Sequence, residues 1–200
     1  MKKFLLSSLA GITMLFSADQ AKSQALSQGD KAIDVYYGVF SISRSLINEG
    51  AINTRFFGPI GAQFEYLASD KMGVGVDFNY TSISWEEERT VTDSIAGTTK
   101  IYTDKVARTV IRFMPRFNIH FGSSESFDGY FGVAAGYRQA TYKYTTDDPN
   151  YEDETIDGII PFALRVCVGA RYYFTDNIGA NMEMGFGGGA LINAGLSFKF

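Results

Sequence analysis

From Ile33 to the last residue, apolar side chains fall at every second position, in runs separated by clusters of Gly, Asp, Asn, Ser and Thr. A period of two marks β-strands, whose successive side chains point to opposite faces. Eight runs carry it. Ile33, Val35, Tyr37 and Val39 oppose Asp34, Tyr36, Gly38 and Phe40. Ile60, Ala62, Phe64 and Tyr66 oppose Gly61, Gln63, Glu65 and Leu67. Met72, Val74, Val76, Phe78 and Tyr80 oppose Gly73, Gly75, Asp77 and Asn79. Ile111, Phe113, Phe117, Ile119 and Phe121 oppose Arg108, Arg112, Arg116, Asn118 and His120. Phe131, Val133, Ala135 and Tyr137 oppose Gly132, Ala134, Gly136 and Arg138. The sixth run, from Phe162 to Phe174, opposes Arg165, Cys167, Gly169 and Arg171. Ile178, Ala180, Met182, Met184 and Phe186 oppose Gly179, Asn181, Glu183 and Gly185. The last sets Ile192, Ala194, Leu196, Phe198 and Phe200 against Asn193, Gly195, Ser197 and Lys199.

The apolar faces hold no formal charge, and the opposite faces gather both the charges and the glycines. Small residues suit a crowded, curving interior, so the polar face is predicted inward and the apolar face outward. An apolar exterior calls for lipid, where every backbone N–H and C=O must be paired within the protein and strands cross only as a closed barrel. The predicted fold is therefore all-β, an eight-stranded antiparallel up-and-down transmembrane β-barrel.

Linker lengths fit that topology. Short periplasmic turns are predicted at Ser69–Lys71, Gly122–Asp128 and Thr175–Asn177. Longer outer loops are predicted at Leu46–Thr54, Glu86–Tyr102 and Thr145–Gly158, with a tight Gly187–Gly189 turn as the exception. Tyr66, Phe121, Phe131, Tyr172, Phe174, Phe198 and Phe200 gather near the predicted inner ends and Tyr80 and Tyr137 near the outer ends, as rings do at membrane interfaces. Pro59 and Pro161 are predicted at strand ends. Pro115 falls mid-strand, where it cannot donate to a ladder, and predicts a bulge that shifts the faces beside it.

Composition agrees with strands: 17 Phe, 12 Tyr and 21 Gly in 200 residues, with a formal net charge of -4. At the N-terminus Lys2 and Lys3 precede an apolar stretch from Phe4 to Phe16, followed by small residues up to Ala25. This predicts a secretory signal over residues 1–25, cleaved after Ala25, and a mature barrel over residues 26–200. The single Cys167 cannot form an intrachain disulfide and is expected to be a small packed residue.

Eight alternating segments ending in Phe198-Lys199-Phe200 resemble the small outer membrane β-barrel superfamily of OmpA-type, OmpX-like and opacity barrels. The resemblance spans the predicted mature chain and is architectural. It implies residence in a bacterial outer membrane, contact with its lipids and lipopolysaccharide, and assembly by the barrel assembly machinery. In that family the final strand is the assembly signal, matched here by Ile192, Ala194, Leu196, Phe198 and Phe200.

Inside such a barrel, charges must pair or stay hydrated. Asp34, Glu65, Asp77 and Glu183 are predicted to form a lumen network with Arg108, Arg112, Arg116, Arg138, Arg165 and Arg171, and Asp77 and Glu183 are the expected partners of Arg112 and Arg165. The sole histidine, His120, falls at the periplasmic end and is expected at the rim or in the lumen. No Gly-x-Ser-x-Gly, P-loop or His-Glu-x-x-His pattern occurs, and the acidic run Asp147–Glu154 lacks the glycine and terminal glutamate of an EF-hand. No cofactor, metal or nucleic acid is called for. The expected role is structural or surface-interacting, adhesion-like and exerted through the outer loops. The alternatives are a lipid-modifying outer membrane enzyme or a small porin-like channel.

Overall fold

The computed structural model describes residues 24–41, 51–93, 98–122 and 124–200. Residues 1–23 of the predicted signal and most of the predicted loop at Leu46–Thr54 lie outside them. The strands are β1 (Lys31–Ser41), β2 (Ile52–Ser69), β3 (Met72–Asp93), β4 (Thr98–Phe121), β5 (Phe127–Thr146), β6 (Glu154–Asp157), β7 (Phe162–Tyr173), β8 (Ile178–Gly187) and β9 (Ala190–Lys199). All pairings are antiparallel. The sheet runs β4-β3-β2-β1-β9-β8-β7-β5 and returns from β5 to β4, so it closes as an eight-stranded barrel with the short β6 added to β5. The last strand seals the ring: β9 pairs with β1 from Lys199 opposite Ala32 to Ala190 opposite Ser41. Lys31 and Phe200 exchange two backbone hydrogen bonds, at 2.9 and 3.0 Å.

The faces follow the alternation. Asp34, Glu65, Asp77, Arg116, Arg165, Arg171 and Glu183 are buried, whereas Val35, Phe64, Phe78, Phe113, Val166, Val168 and Met184 are exposed. The charged side is the inside. Two tyrosine rings fill the lumen beside glycine. Tyr36 lies over Gly61 and Tyr130 over Gly169, and a Cβ on either glycine would overlap the ring. Cys167 is buried and free, as expected.

Proline placement differs from expectation. Pro115 causes no bulge: the β3–β4 ladder runs unbroken through Val76 opposite Pro115. On the other side the β4–β5 pairing lapses after Phe113 and resumes at Arg116 in the same register, so the missing donor costs a rung and shifts no face. Register shifts occur instead between β2 and β3, at three places, one of them between Phe57 and Ile60 across Gly58–Pro59. Pro59 is thus inside a strand, not at its end, and Gly58 has the positive φ of 87° that its lack of a Cβ permits.

The barrel has two unequal ends. Short turns close one end, hereafter the turn end, which also receives residues 24–26 and Phe200. At the other, the loop end, the wall is lopsided. The β8–β9 hairpin stops low, in Gly187–Gly189, with φ of 75°, 58° and 141°, while β3 and β4 continue paired to Asp93 opposite Thr98. Most of the expected loop at Glu86–Tyr102 is therefore strand, and the expected loop at Thr145–Gly158 contains β6. These extensions carry charge on both faces, so they lack the apolar alternation that marks a half-buried strand.

Candidate functional site

The lumen brings most of the expected charges together. At the turn end Arg171 of β7 is the hub. Its Nε and Nη2 donate to Asp34 at 3.0 and 2.8 Å, Nη2 donates also to Glu65 at 2.6 Å, and Nη1 reaches Asp128 at 3.2 Å. His120 stands between two of the same carboxylates, with Nδ1 at 2.8 Å from Asp128 and Nε2 at 2.9 Å from Glu65. The Asn118 amide adds a donor to Glu65 at 2.7 Å and, through its oxygen, accepts from Arg116 Nε at 2.8 Å. His120 is therefore a lumen residue rather than a rim residue.

Halfway up, Glu183 of β8 joins three strands. Its carboxylate accepts from Arg165 Nε at 2.7 Å, from Arg116 Nη2, and from the Tyr130 hydroxyl at 3.1 Å. The Tyr130 ring lies under two guanidinium groups, with its centroid 4.7 Å from Arg171 and 5.3 Å from Arg116. Arg165 also donates through Nη1 to the carbonyls of Gly187 and Ala190, each at 2.9 Å. That tie fixes the low glycine hairpin to the lumen.

The expected pairing of Glu183 with Arg165 is present, but Asp77 does not pair with Arg112. Asp77 accepts from Tyr36 at 2.9 Å and Asn79 at 3.1 Å and faces Arg116 at 3.6 Å, an ion pair without a hydrogen bond. Arg112 instead donates to the Asn79 oxygen at 2.9 Å. The neutral Asn79 sits between the two, because it faces Arg112 directly across the β3–β4 ladder whereas Asp77 faces Met114.

Asp128 was expected in a periplasmic turn and is instead a buried member of this network. Extending the alternation of the fifth run back from Phe131 places Asp128 and Tyr130 on the inner face, which is the signal that finds both. Arg108 and Arg138 lie apart, towards the loop end. Arg108 donates to the Tyr142 hydroxyl at 3.0 Å.

Beyond the closed ring, the extensions hold a second cluster, outside the lumen. Arg89 of β3 donates to Asp104 of β4 at 2.8 Å and to Asp148 at 3.2 Å, and lies 4.9 Å from the Tyr151 ring centroid. The hydrogen bond from Arg89, with those from Thr146 and Tyr144, holds the Asp104 carboxyl below the usual range despite desolvation. Burial pushes Asp148 up, but the backbone and side-chain N–H groups of Asn150 and the Arg89 guanidinium outweigh it, and its carboxyl also lies low. Bonding to Asp104 raises Arg89. Among the described residues, no group of three or more His, Cys, Asp or Glu side chains is placed to hold a metal ion.

No protein-family model and no curated protein matches the chain. Among solved structures it is similar to the N-terminal β-barrel domain of OprF from Pseudomonas aeruginosa, at 13% identity over 88% of this chain and 100% of that one, with a TM-score of 0.46. It is similar also to Ail, the attachment invasion locus protein of Yersinia pestis, at 12% identity over 86% and 99% with a TM-score of 0.46. A third similarity is to the outer membrane protein OprG from Pseudomonas aeruginosa, at 14% identity over 90% and 99% with a TM-score of 0.42.

Proposed function

We propose that this chain spans a bacterial outer membrane, with its turn end in the periplasm, and serves there as a non-enzymatic structural or surface-interaction protein acting through its loop end. The observation that carries the membrane reading is the inverted burial: Phe78, Phe113, Val168 and Met184 are exposed while Asp77, Glu183 and Arg165 are buried. Only a lipid solvent makes that arrangement favourable. The exposed aromatics Tyr66, Phe131, Tyr172 and Phe174 near the turn end, and Tyr137 towards the loop end, suit its two interfaces.

Adhesion-like contact with an extracellular ligand is the finer form of this reading. It draws on the ordered, charged extensions of β3, β4 and β5, which offer Arg89, Tyr102 and Tyr151 to the exterior. Lipopolysaccharide and the outer membrane lipids are the surroundings it requires. The barrel assembly machinery is its proposed partner during insertion, with Ile192, Ala194, Leu196, Phe198 and Phe200 as the signal. A lumen filled by Tyr36, Tyr130 and paired charges argues against a channel, and the enclosure of His120 between Glu65 and Asp128 argues against its use on lipid.

The test is a folded-barrel assay. Detergent-solubilised protein changes mobility on a gel after heating and fractionates with outer membranes. Mobility unaffected by heat, or recovery with soluble periplasmic proteins, refutes the reading. Altered lipid A after gene deletion, reproduced by His120→Gln, would replace it with the enzyme; single-channel steps in planar bilayers would replace it with the channel.

A further inference from the structure

Towards the loop end the inward charges stop balancing. Arg112 of β4 and Arg138 of β5 are direct cross-strand partners, and both point inward. Such side chains stand about 5 Å apart at Cβ, where like charges repel. Arg112 has the neutral Asn79 oxygen as its hydrogen-bond acceptor. The Arg138 side chain makes no hydrogen bond or ion pair with any described residue, and its Nε is shut off from solvent without an acceptor. The inward carboxylates nearest in register are engaged elsewhere. Asp77 is held by Tyr36 and Asn79 and faces Arg116, and Asp104 stands roughly 26 Å further along β4 at the rise of a strand.

Beside Arg138 the wall opens into a cavity of about 370 Å³ between β5 and the segment leading from β6 to β7, lined also by Tyr142, Ile156 and Ile160. Asp157 lies on the lining, but its carboxylate accepts from Thr141 Oγ1 at 2.9 Å, on the outer side of the wall. Ile156 and Ile160 expose 54% and 65% of their surface. The cavity therefore combines a guanidinium lacking an acceptor with uncovered aliphatic surface, and a second cation, Arg112, stands across the β4–β5 ladder from that guanidinium.

We propose that this cavity binds a tetrahedral oxyanion of the phosphate class, held by the planar donors of Arg138 and supported by Arg112. Guanidinium forks match such oxygens two at a time. The oxyanion can arrive free or as the phosphate of an amphiphile, whose apolar part would lie on Ile156 and Ile160. Only the amphiphile rests on the membrane reading above. The two are distinguishable: failure of that reading appears in fractionation, failure of this one in binding.

Protein folded in a phosphate-free nonionic detergent is titrated calorimetrically with inorganic phosphate and, separately, with a phosphorylated glycolipid in mixed micelles. Saturable binding is expected, weakened about tenfold or more by Arg138→Gln and by Arg112→Gln, and unchanged by Lys71→Gln in the opposite turn. Tighter binding of the glycolipid assigns the amphiphile; equal or tighter binding of inorganic phosphate assigns the free anion. Should Arg138→Gln lose its heat-shifted mobility, Arg138→Lys replaces it, keeping the charge while losing the fork. Independently, phosphate should raise the melting temperature of the wild-type barrel more than chloride does at equal ionic strength. No saturable binding of either ligand, equal binding by the arginine variants, or no such rise overturns the site.

Discussion

The turn end and the loop end of this barrel hold the same kinds of charge to different effect. From the turn end to halfway up the lumen five carboxylates, Asp34, Glu65, Asp77, Asp128 and Glu183, meet Arg116, Arg165, Arg171 and His120 in a closed, buried network. At the outermost extension a partly exposed Arg89 repeats the pairing outside the lumen, with two covered carboxylates, Asp104 and Asp148. Charge removed from water is costly unless it is paired and hydrogen-bonded, whereas a pair with one partner reaching solvent contributes less. Identical chemistry is therefore structural in one place and adjustable in the other.

The largest effect should come from breaking the buried network at its crossing point. Glu183→Gln leaves Arg116 and Arg165 without their shared carboxylate and should destabilise the barrel by about 3–5 kcal/mol in urea titrations in lipid vesicles. A cost below that of an exposed lysine substitution would show that the lumen charges are hydrated instead of paired. Next in size is Val166→Lys on the outward face, at about 2–4 kcal/mol near the bilayer midplane, against a smaller cost for Asn181→Ser on the inward face of β8. Equal costs would mean that the faces are not distinguished by lipid.

How much of this the sequence discloses depends on what each residue has to satisfy. Val166 and Cys167 reveal their faces because alternation is enforced wherever one side must avoid water and the other holds charge. The ring of eight strands and the closing role of β9 follow from that rule alone. Partner choice does not. Whether Arg112 finds Asp77 or Asn79 depends on the β3–β4 register, which runs unbroken past Pro115 and sets Asn79 opposite Arg112. A proline reveals that a donor is missing, but not whether the neighbouring strand leaves that position unbonded. The extensions at 86–93 and 98–102 are illegible as strand because backbone pairing beyond the membrane imposes no alternation.

The smallest effect belongs to the cluster at the tip. Arg89→Gln should leave the unfolding midpoint of the barrel unchanged while altering the acid response of the tip. Asp104 and Asp148 have carboxyls held below the ordinary range, so their contribution is complete above that range and is lost as pH falls through the lowered values. NMR titration of the tip carboxylates should show both transitions moving up in Arg89→Gln. A shift of the global midpoint instead would mean that the tip and the barrel unfold as one unit.

The central claim is that the apolar face meets lipid and the charged face does not. Because Trp85 is the only tryptophan, a Trp85→Phe background with Val168→Trp places one fluorophore on the outward face of β7. In vesicles, brominated acyl chains should quench it strongly and aqueous iodide weakly. Strong iodide quenching with no response to brominated lipid would contradict the account.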